Sequence, residues 1–379
     1  MITRRQTLAK FVANSTLALA ADRRGTAASP AAVAGQGTTA DGGGPARIKI
    51  GQIGVGHGHA TKLSVYRQSP EYEVVGIVEP DASLRARAEQ QPAFRGLPWM
   101  TQDQLLNEPG LLAILVETEV RWALDAAEAC VAAGKHVHID KPPGTSAEKL
   151  RRILDSATRQ KLMVQMGYMY RYNPSVVLLR RFVREGWLGE IFAAHAEMSK
   201  LMTPEARRQV ASYQGGTLFE YGGYLIDMIY QILGPAEKVV GFTRHAGPAD
   251  DALADNGLAV LTYPRALATI RSAGIEVAGE GRRHFVVCGT AGTFKIEPLD
   301  NPTVRLTLTK PCGDYKAGTQ EIAMPRYVRY EADAADMARV IRGEKPTDFS
   351  PEHDLAVQKA LLEACGVDEE VEAAARRPL

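Results

Sequence analysis

Three groups of residues have types and spacing that could carry chemistry. The first is Gly54-Val55-Gly56-His57-Gly58-His59-Ala60, which follows the β-type apolar residues Ile48, Ile50 and Ile53 and precedes Leu63 and Tyr66 at helical spacing. Strand, glycine loop and helix in that order can cradle a pyrophosphate: Gly54 allows a tight turn, and Gly56 lets the backbone approach the phosphates at a helix N-terminus. His57, Gly58 and His59 complete the loop, with His59 at the third glycine position of G-x-G-x-x-G. A glycine loop alone is equally consistent with an ordinary turn. The second group is Glu79, which ends the apolar run Val74 to Val78 and lies 23 residues after Gly56. A carboxylate there accepts hydrogen bonds from an adenosine ribose and repels a 2'-phosphate, so NAD is expected ahead of NADP, with Arg85 and Arg87 near enough to shift the preference. The third is Lys141, just past the apolar strand Val137 to Ile139. A lysine at the C-terminal end of a parallel strand can donate to a substrate hydroxyl or the nicotinamide ribose, and favours an oxygen that gains negative charge as hydride leaves or arrives.

These residues need a parallel sheet to bring them together. Further signals supply it: the strand Leu111 to Val116, the helical stretch Trp122 to Ala133 and the stop at Gly134. Alternating strands and helices imply a doubly wound parallel sheet. Asn173 as N-cap and Pro174 at the first helical position start another helix, with Val176, Leu179 and Val183 on one face before Gly186. Beyond it the pattern turns to β, with runs at Ile191 to Met198, Lys238 to Arg244, Gly257 to Tyr263, Phe285 to Cys288 and Thr293 to Ile296, and alternation at Val304, Leu306 and Leu308. A mainly antiparallel open sheet is expected, one face carrying helices, with a closing helix over Asp354 to Cys365. The expected fold is therefore α/β: a dinucleotide-binding Rossmann domain over 47–168 and an α+β substrate domain over 169–379. Glu220, Tyr224 and Asp227, spaced by four and three, share one face if their segment is helical, although Gly222-Gly223 weakens that helix.

Composition narrows the function. The 379 residues carry 45 basic against 44 acidic side chains, net charge +1, and 45% are hydrophobic. Charge balanced in this way gives no electrostatic support to a nucleic-acid partner. The four cysteines, Cys130, Cys288, Cys312 and Cys365, form no C-x-x-C, and no His, Asp or Glu group has metal-ligand spacing along the chain, so neither a disulfide framework nor a metal is expected. Residues 1–46 read as a leader. Thr3-Arg4-Arg5-Gln6-Thr7-Leu8-Ala9-Lys10 resembles a twin-arginine export signal, followed by an apolar run, Phe11 to Ala21, too short to span a bilayer. A periplasmic or otherwise exported protein without membrane integration is expected, delivered by the twin-arginine machinery. A cytoplasmic protein with a basic N-terminus is the alternative.

Taken in order, the glycine loop, Glu79, Gly134-Lys135-His136-Val137, Asp140-Lys141-Pro142, Tyr170-Arg171-Tyr172-Asn173-Pro174, Gly215-Gly216 and Gly289-Thr290-Ala291-Gly292-Thr293 resemble the Gfo/Idh/MocA oxidoreductase family over residues 47 to 366. Asp140 replaces the glutamate of the usual E-K-P. The resemblance implies that Lys141 is catalytic and that Tyr170 and Arg171 face the substrate, with Asp227 a further contact. Many members carry Asp at Glu220 and His at Tyr224, and Glu220 is expected to be catalytic with Lys141 and Tyr224. Tyrosine at the latter position also marks the glucose-fructose oxidoreductase branch, and Tyr224 is the expected proton carrier, its pKa lowered by Lys141. Glu117, in place of a T-P-N loop that touches nicotinamide, is a cofactor candidate. The resemblance implies an NAD(P)-dependent oxidoreductase acting on a sugar, cyclitol or derivative, homo-oligomeric through its C-terminal sheet. An NAD-dependent glycosidase using transient oxidation, a non-catalytic dinucleotide- or carbohydrate-binding protein, and a reductase of non-sugar carbonyls are the alternatives.

Overall fold

A computed structural model describes residues 46–247 and 250–367; the twin-arginine segment lies outside them. The first half alternates β1 (Ile48–Ile53), α1 (Leu63–Gln68), β2 (Tyr72–Val78), α2 (Ala82–Ala88), α3 (Gln102–Leu106), β3 (Leu111–Val116), α4 (Val120–Ala132), β4 (His136–Ile139), α5 (Ala147–Arg159) and β5 (Val164–Met166). The strands form one parallel sheet in the order β2-β1-β3-β4-β5. Strand order reverses at β1, so a crevice opens beyond the C-terminal ends of β1 and β3, where parallel sheets bind ligands. Gly54 and Glu117 follow those two strands; Glu79 and Asp140-Lys141 follow β2 and β4. Both faces of this sheet are covered, which is why β3 reads Leu-Leu-Ala-Ile-Leu-Val with five of its residues buried.

The second half contains α6 (Pro174–Arg184), β6 (Ile191–Glu197), α7 (Pro204–Val210), α8 (Thr217–Leu233), β7 (Lys238–Arg244), β8 (Asn256–Thr262), β9 (Leu267–Ala273), β10 (His284–Gly289), β11 (Gly292–Ile296), β12 (Val304–Leu308), β13 (Gly318–Ile322), α9 (Glu331–Ile341) and α10 (Pro351–Cys365). The eight strands run β13-β12-β11-β10-β6-β9-β8-β7, all antiparallel except β6 with β9. Asn173 caps α6 as expected, accepting from the Ser175 amide at 2.9 Å. Helices α8 and α10 cover one face. The opposite face carries Phe192, Phe242, Leu258 and Leu267, all exposed, with Phe242 and Leu258 directly paired across β7 and β8.

Several elements differ from expectation. Strands β5, β9 and β13 and helices α2, α3, α5, α7 and α9 lie outside the expected elements; β13 is a polar edge strand, Gly-Thr-Gln-Glu-Ile, with no apolar alternation to announce it. Helix α4 begins two residues early, at Val120, and α10 begins at Pro351 because Ser350 caps it. The glycine pair in α8 is a packing device. A Cβ on Gly222 would lie 3.0 Å from Leu361 Cδ1, and one on Gly223 3.1 Å from Tyr168 Cε1, so the helix gains close approach where it loses propensity.

Helix α9 departs from the expected division of the chain. Its Ala334, Met337 and Ala338 belong to the buried cluster of Ile48, Ile50, Tyr72 and Ile77, and the Tyr72 hydroxyl donates to Ala334 O at 2.7 Å. The chain thus returns from the second sheet to complete the core of the first. Met337 is fully buried, and Met337→Ala is expected to cost about 2–5 kcal/mol, measured by urea unfolding, with dinucleotide affinity falling in parallel.

Candidate active site

The dinucleotide half of the site is built by backbone geometry. Gly54 has φ +89°, and a Cβ there would lie 2.5 Å from the Thr118 backbone, so only glycine lets β1 turn beside the end of β3. The Glu79 carboxylate accepts from the Val55 amide at 3.0 Å and the Asp81 amide at 2.9 Å, fixing it at the rim of the glycine loop. It borders a cleft of about 920 Å³ lined also by Gly54, Arg85, Trp99, Thr118 and Trp122. That volume suits a nucleotide portion of a cofactor. Arg85 stacks over Trp99 at 5.1 Å and bonds Glu89 at 3.0 Å, so it is engaged on this wall. The residues present fit a dinucleotide.

Behind the loop lies a charged network that the sequence did not announce. The Lys62 ammonium, 2% exposed, contacts Asp140, lies 3.1 Å from Glu117 and bonds His138 Nε2 at 2.9 Å. His138 accepts at Nε2 and donates from Nδ1 to Gln165 at 2.9 Å, the neutral tautomer; burial and the Lys62 charge push its pKa down to about 3. His57 has Nδ1 3.3 Å from Asp140 and 3.5 Å from Glu117, while its Nε2 donates to Lys141 O at 3.1 Å. Burial opposes a charge on His57, but the two carboxylates outweigh it and raise its pKa to about 10. Burial likewise opposes the Asp140 charge, and His57 and Lys62 outweigh it, holding Asp140 well below the carboxylate range. His59 Nδ1 lies 3.1 Å from Asp140, but burial and the charges of His57 and Lys141 bring it down to about 4.

Two consequences follow for the expected roles. Glu117 is fully buried and faces Lys62 and His57, so it acts behind the nicotinamide loop instead of lining it. Two triads, His57–His59–Asp140 and Glu117–His138–Asp140, have ligand types and separations that could hold a metal. The place between Glu117, His138 and Asp140 is filled by the Lys62 ammonium, an internal cation.

The substrate half centres on Lys141. Its ammonium donates to Glu220 Oε1 at 2.8 Å and to Glu220 O at 2.9 Å. Lys141 is 1% exposed, whereas the Glu220 side chain is 24% exposed, so the pair has a buried and an open end. Burial opposes the Glu220 charge, but Lys141 outweighs it and lowers the pKa. One turn along α8, the Tyr224 ring centre lies 4.9 Å from the same ammonium. Its hydroxyl is buried and has no hydrogen-bond partner among the described residues. Here the expectation of a lowered pKa is corrected: burial, reinforced by Asp140, raises Tyr224 well above the usual phenol value, and Lys141 faces its ring.

Arg171 and Asp227 also depart from expectation. Both are buried, 2% and 1% exposed, and joined at 2.7 Å; Arg171 also contacts Asp354, and Asp227 is bonded by His353 at 2.9 Å. They cross-link the short 3-10 turn Met169–Tyr172 to α8 and α10, and contribute no open group to the cleft. Tyr170 stands closer, its ring centre 5.4 Å from that of Tyr224, but its hydroxyl is engaged by Asp300 at 2.6 Å.

A glycine cradle and a carboxylate at the ends of parallel strands, beside a buried lysine, define a dinucleotide-binding site. Residues 48–168 match the oxidoreductase family with NAD-binding Rossmann fold, and 176–295 match the GFO/IDH/MocA C-terminal domain. The chain belongs to the Gfo/Idh/MocA family. It is 27% identical over 224 residues to a trans-1,2-dihydrobenzene-1,2-diol dehydrogenase of Macaca fuscata fuscata, a match spanning 57% of this chain and 65% of that enzyme. Among solved structures it resembles GenD2 from gentamicin A biosynthesis in complex with NAD (TM-score 0.71, 19% identity, 87% of this chain and 97% of that one). It also resembles the WlbA dehydrogenase from Bordetella pertussis in complex with NADH and UDP-GlcNAcA (TM-score 0.67, 16% identity, 85% and 97%).

Two measurements check this geometry. Glu79→Ala should weaken NAD binding more than NADP binding in fluorescence titrations, since the carboxylate serves ribose hydroxyls and repels phosphate; equal losses would remove that role. Because the folded-state pKa of His57 is raised, its stabilisation is full below about 6.5 and lost as pH rises through about 10. The wild-type melting temperature should therefore fall across that window, and His57→Gln should flatten the slope.

Proposed function

We propose that the protein transfers hydride between a nicotinamide and a carbinol carbon of a sugar, cyclitol or sugar derivative. The Lys141–Glu220 pair beside the dinucleotide cleft carries this reading. NAD, when bound, supplies the hydride acceptor. An ammonium has three N–H donors; two of those on Lys141 bond Glu220, which leaves one for a substrate oxygen. As hydride leaves carbon, the hydroxyl proton must leave oxygen, and Lys141 with the partly open Glu220 forms the path to solvent. Tyr224, kept neutral by burial, has its hydroxyl proton free to donate to a substrate oxygen.

The twin-arginine-like Arg4-Arg5 segment supports export, and the apolar face bearing Phe242 and Leu258 supports a homo-oligomer through the second sheet. A compartment without a free dinucleotide pool favours cofactor held tightly through export, with each cycle redox-closed by a second substrate or by re-reduction of the same one. Purified protein should then carry NAD(H), seen by native mass spectrometry, and turn over without added cofactor. Lys141→Ala should retain the dinucleotide while losing about a hundredfold or more in rate. Empty protein that needs added NAD and releases stoichiometric NADH would overturn the closed cycle, and an unchanged rate in the variant would overturn the role of Lys141.

A further inference from the structure

Near the Lys141–Glu220 pair stands a cation that the mechanism does not use, Lys200. Lys200 follows β6, anchored by its amide to Ala273 O at 3.0 Å. Its ammonium lies 5.8 Å from the ring centre of Tyr221, and that of Lys141 lies 5.9 Å from the same ring, so the two charges are separated by no more than the sum of those distances. The neighbouring cations are all engaged. Lys141 holds Glu220, while Arg283 and Arg329 share the carboxylate of Asp300, which also accepts from Tyr170. Among the described residues no carboxylate lies within ion-pair distance of Lys200, although the residue is only partly open to solvent. Burial lowers its pKa, Glu220 partly restores it, and Arg283 and Lys141 lower it further. A partly desolvated charge left unpaired costs free energy that an anionic ligand would recover.

We propose that Lys200 is a substrate-specificity residue that binds an anionic group, a carboxylate or a phosphate monoester, on a carbohydrate whose reacting carbinol oxygen sits at Lys141. The proposal rests on the carbohydrate reading of the cleft and adds the substrate's charge. The Tyr221 ring, which both ammoniums approach, is the side chain common to Lys200 and Lys141. Arg283, whose charge acts on Lys200, shares the single carboxylate of Asp300 with Arg329 and so adds positive potential beside it.

The test is isothermal titration calorimetry of the purified full chain with glucuronate, glucose 6-phosphate and glucose, repeated with Lys200→Met and Lys200→Arg. At least one anionic sugar should bind the wild type tenfold or more tighter than glucose. Lys200→Met should abolish that preference while leaving glucose affinity within twofold, and Lys200→Arg should retain most of it. The bound anion identifies which acid group the site takes. Equal affinity of the wild type for all three, or a uniform loss in Lys200→Met, overturns the specificity role and leaves the carbohydrate reading standing. Failure of all three to bind overturns both.

Discussion

The site depends on keeping one carboxylate ionised in a place without water. Asp140 is 3% exposed, yet it contacts Lys62, lies against His57 and His59, and accepts the amide of Lys141 at 2.7 Å. A buried carboxylate persists as an anion only when cations and donors surround it. Those partners come from the glycine loop, the turn after it and the Asp140–Lys141 peptide itself, so satisfying one charge fixes the ends of β1 and β4 against each other. Lys141 reaches Glu220 because its own backbone is tied down in this way. Replacing the family's glutamate by the shorter aspartate at position 140 keeps that anchor close to the strand end.

Local signals were legible in the sequence; distant pairings were not. The glycine loop, Glu79 and Lys141 each announce themselves through neighbours along the chain, and all three stand at the crevice where the strand order reverses. The sheet that unites them followed from alternation of strands and helices. Lys62 gave no such signal. A lysine three residues past a glycine loop is ordinary, and nothing local says that it is buried between Glu117, His138 and Asp140, which lie 55 to 78 residues further on.

The expectations that changed did so for one physical reason. Helical spacing placed Glu220, Tyr224 and Asp227 on one face of α8, and it does, but a face is broad enough to meet two surroundings. Glu220 and Tyr224 meet Lys141, whereas Asp227 meets Arg171 and His353 in the interior. A sequence shows that Lys141 is near Tyr224 more readily than it shows which part of the tyrosine the ammonium approaches. Since it approaches the ring, burial decides the proton affinity of the hydroxyl. Lys200 was equally silent, because its significance lies in a carboxylate it lacks.

Helix α9 has a consequence for synthesis. Ile48 and Ile50 begin the nucleotide sheet, but the core above them is closed by Ala334, Met337 and Ala338, contributed from near the far end of the described chain. A ribosome releases the N-terminal strands first, and domains generally begin folding as they emerge. The nucleotide domain must therefore wait, with apolar surface uncovered, until α9 has emerged. Its cradle becomes fully supported only then, so cofactor capture and completion of this core belong to the same interval.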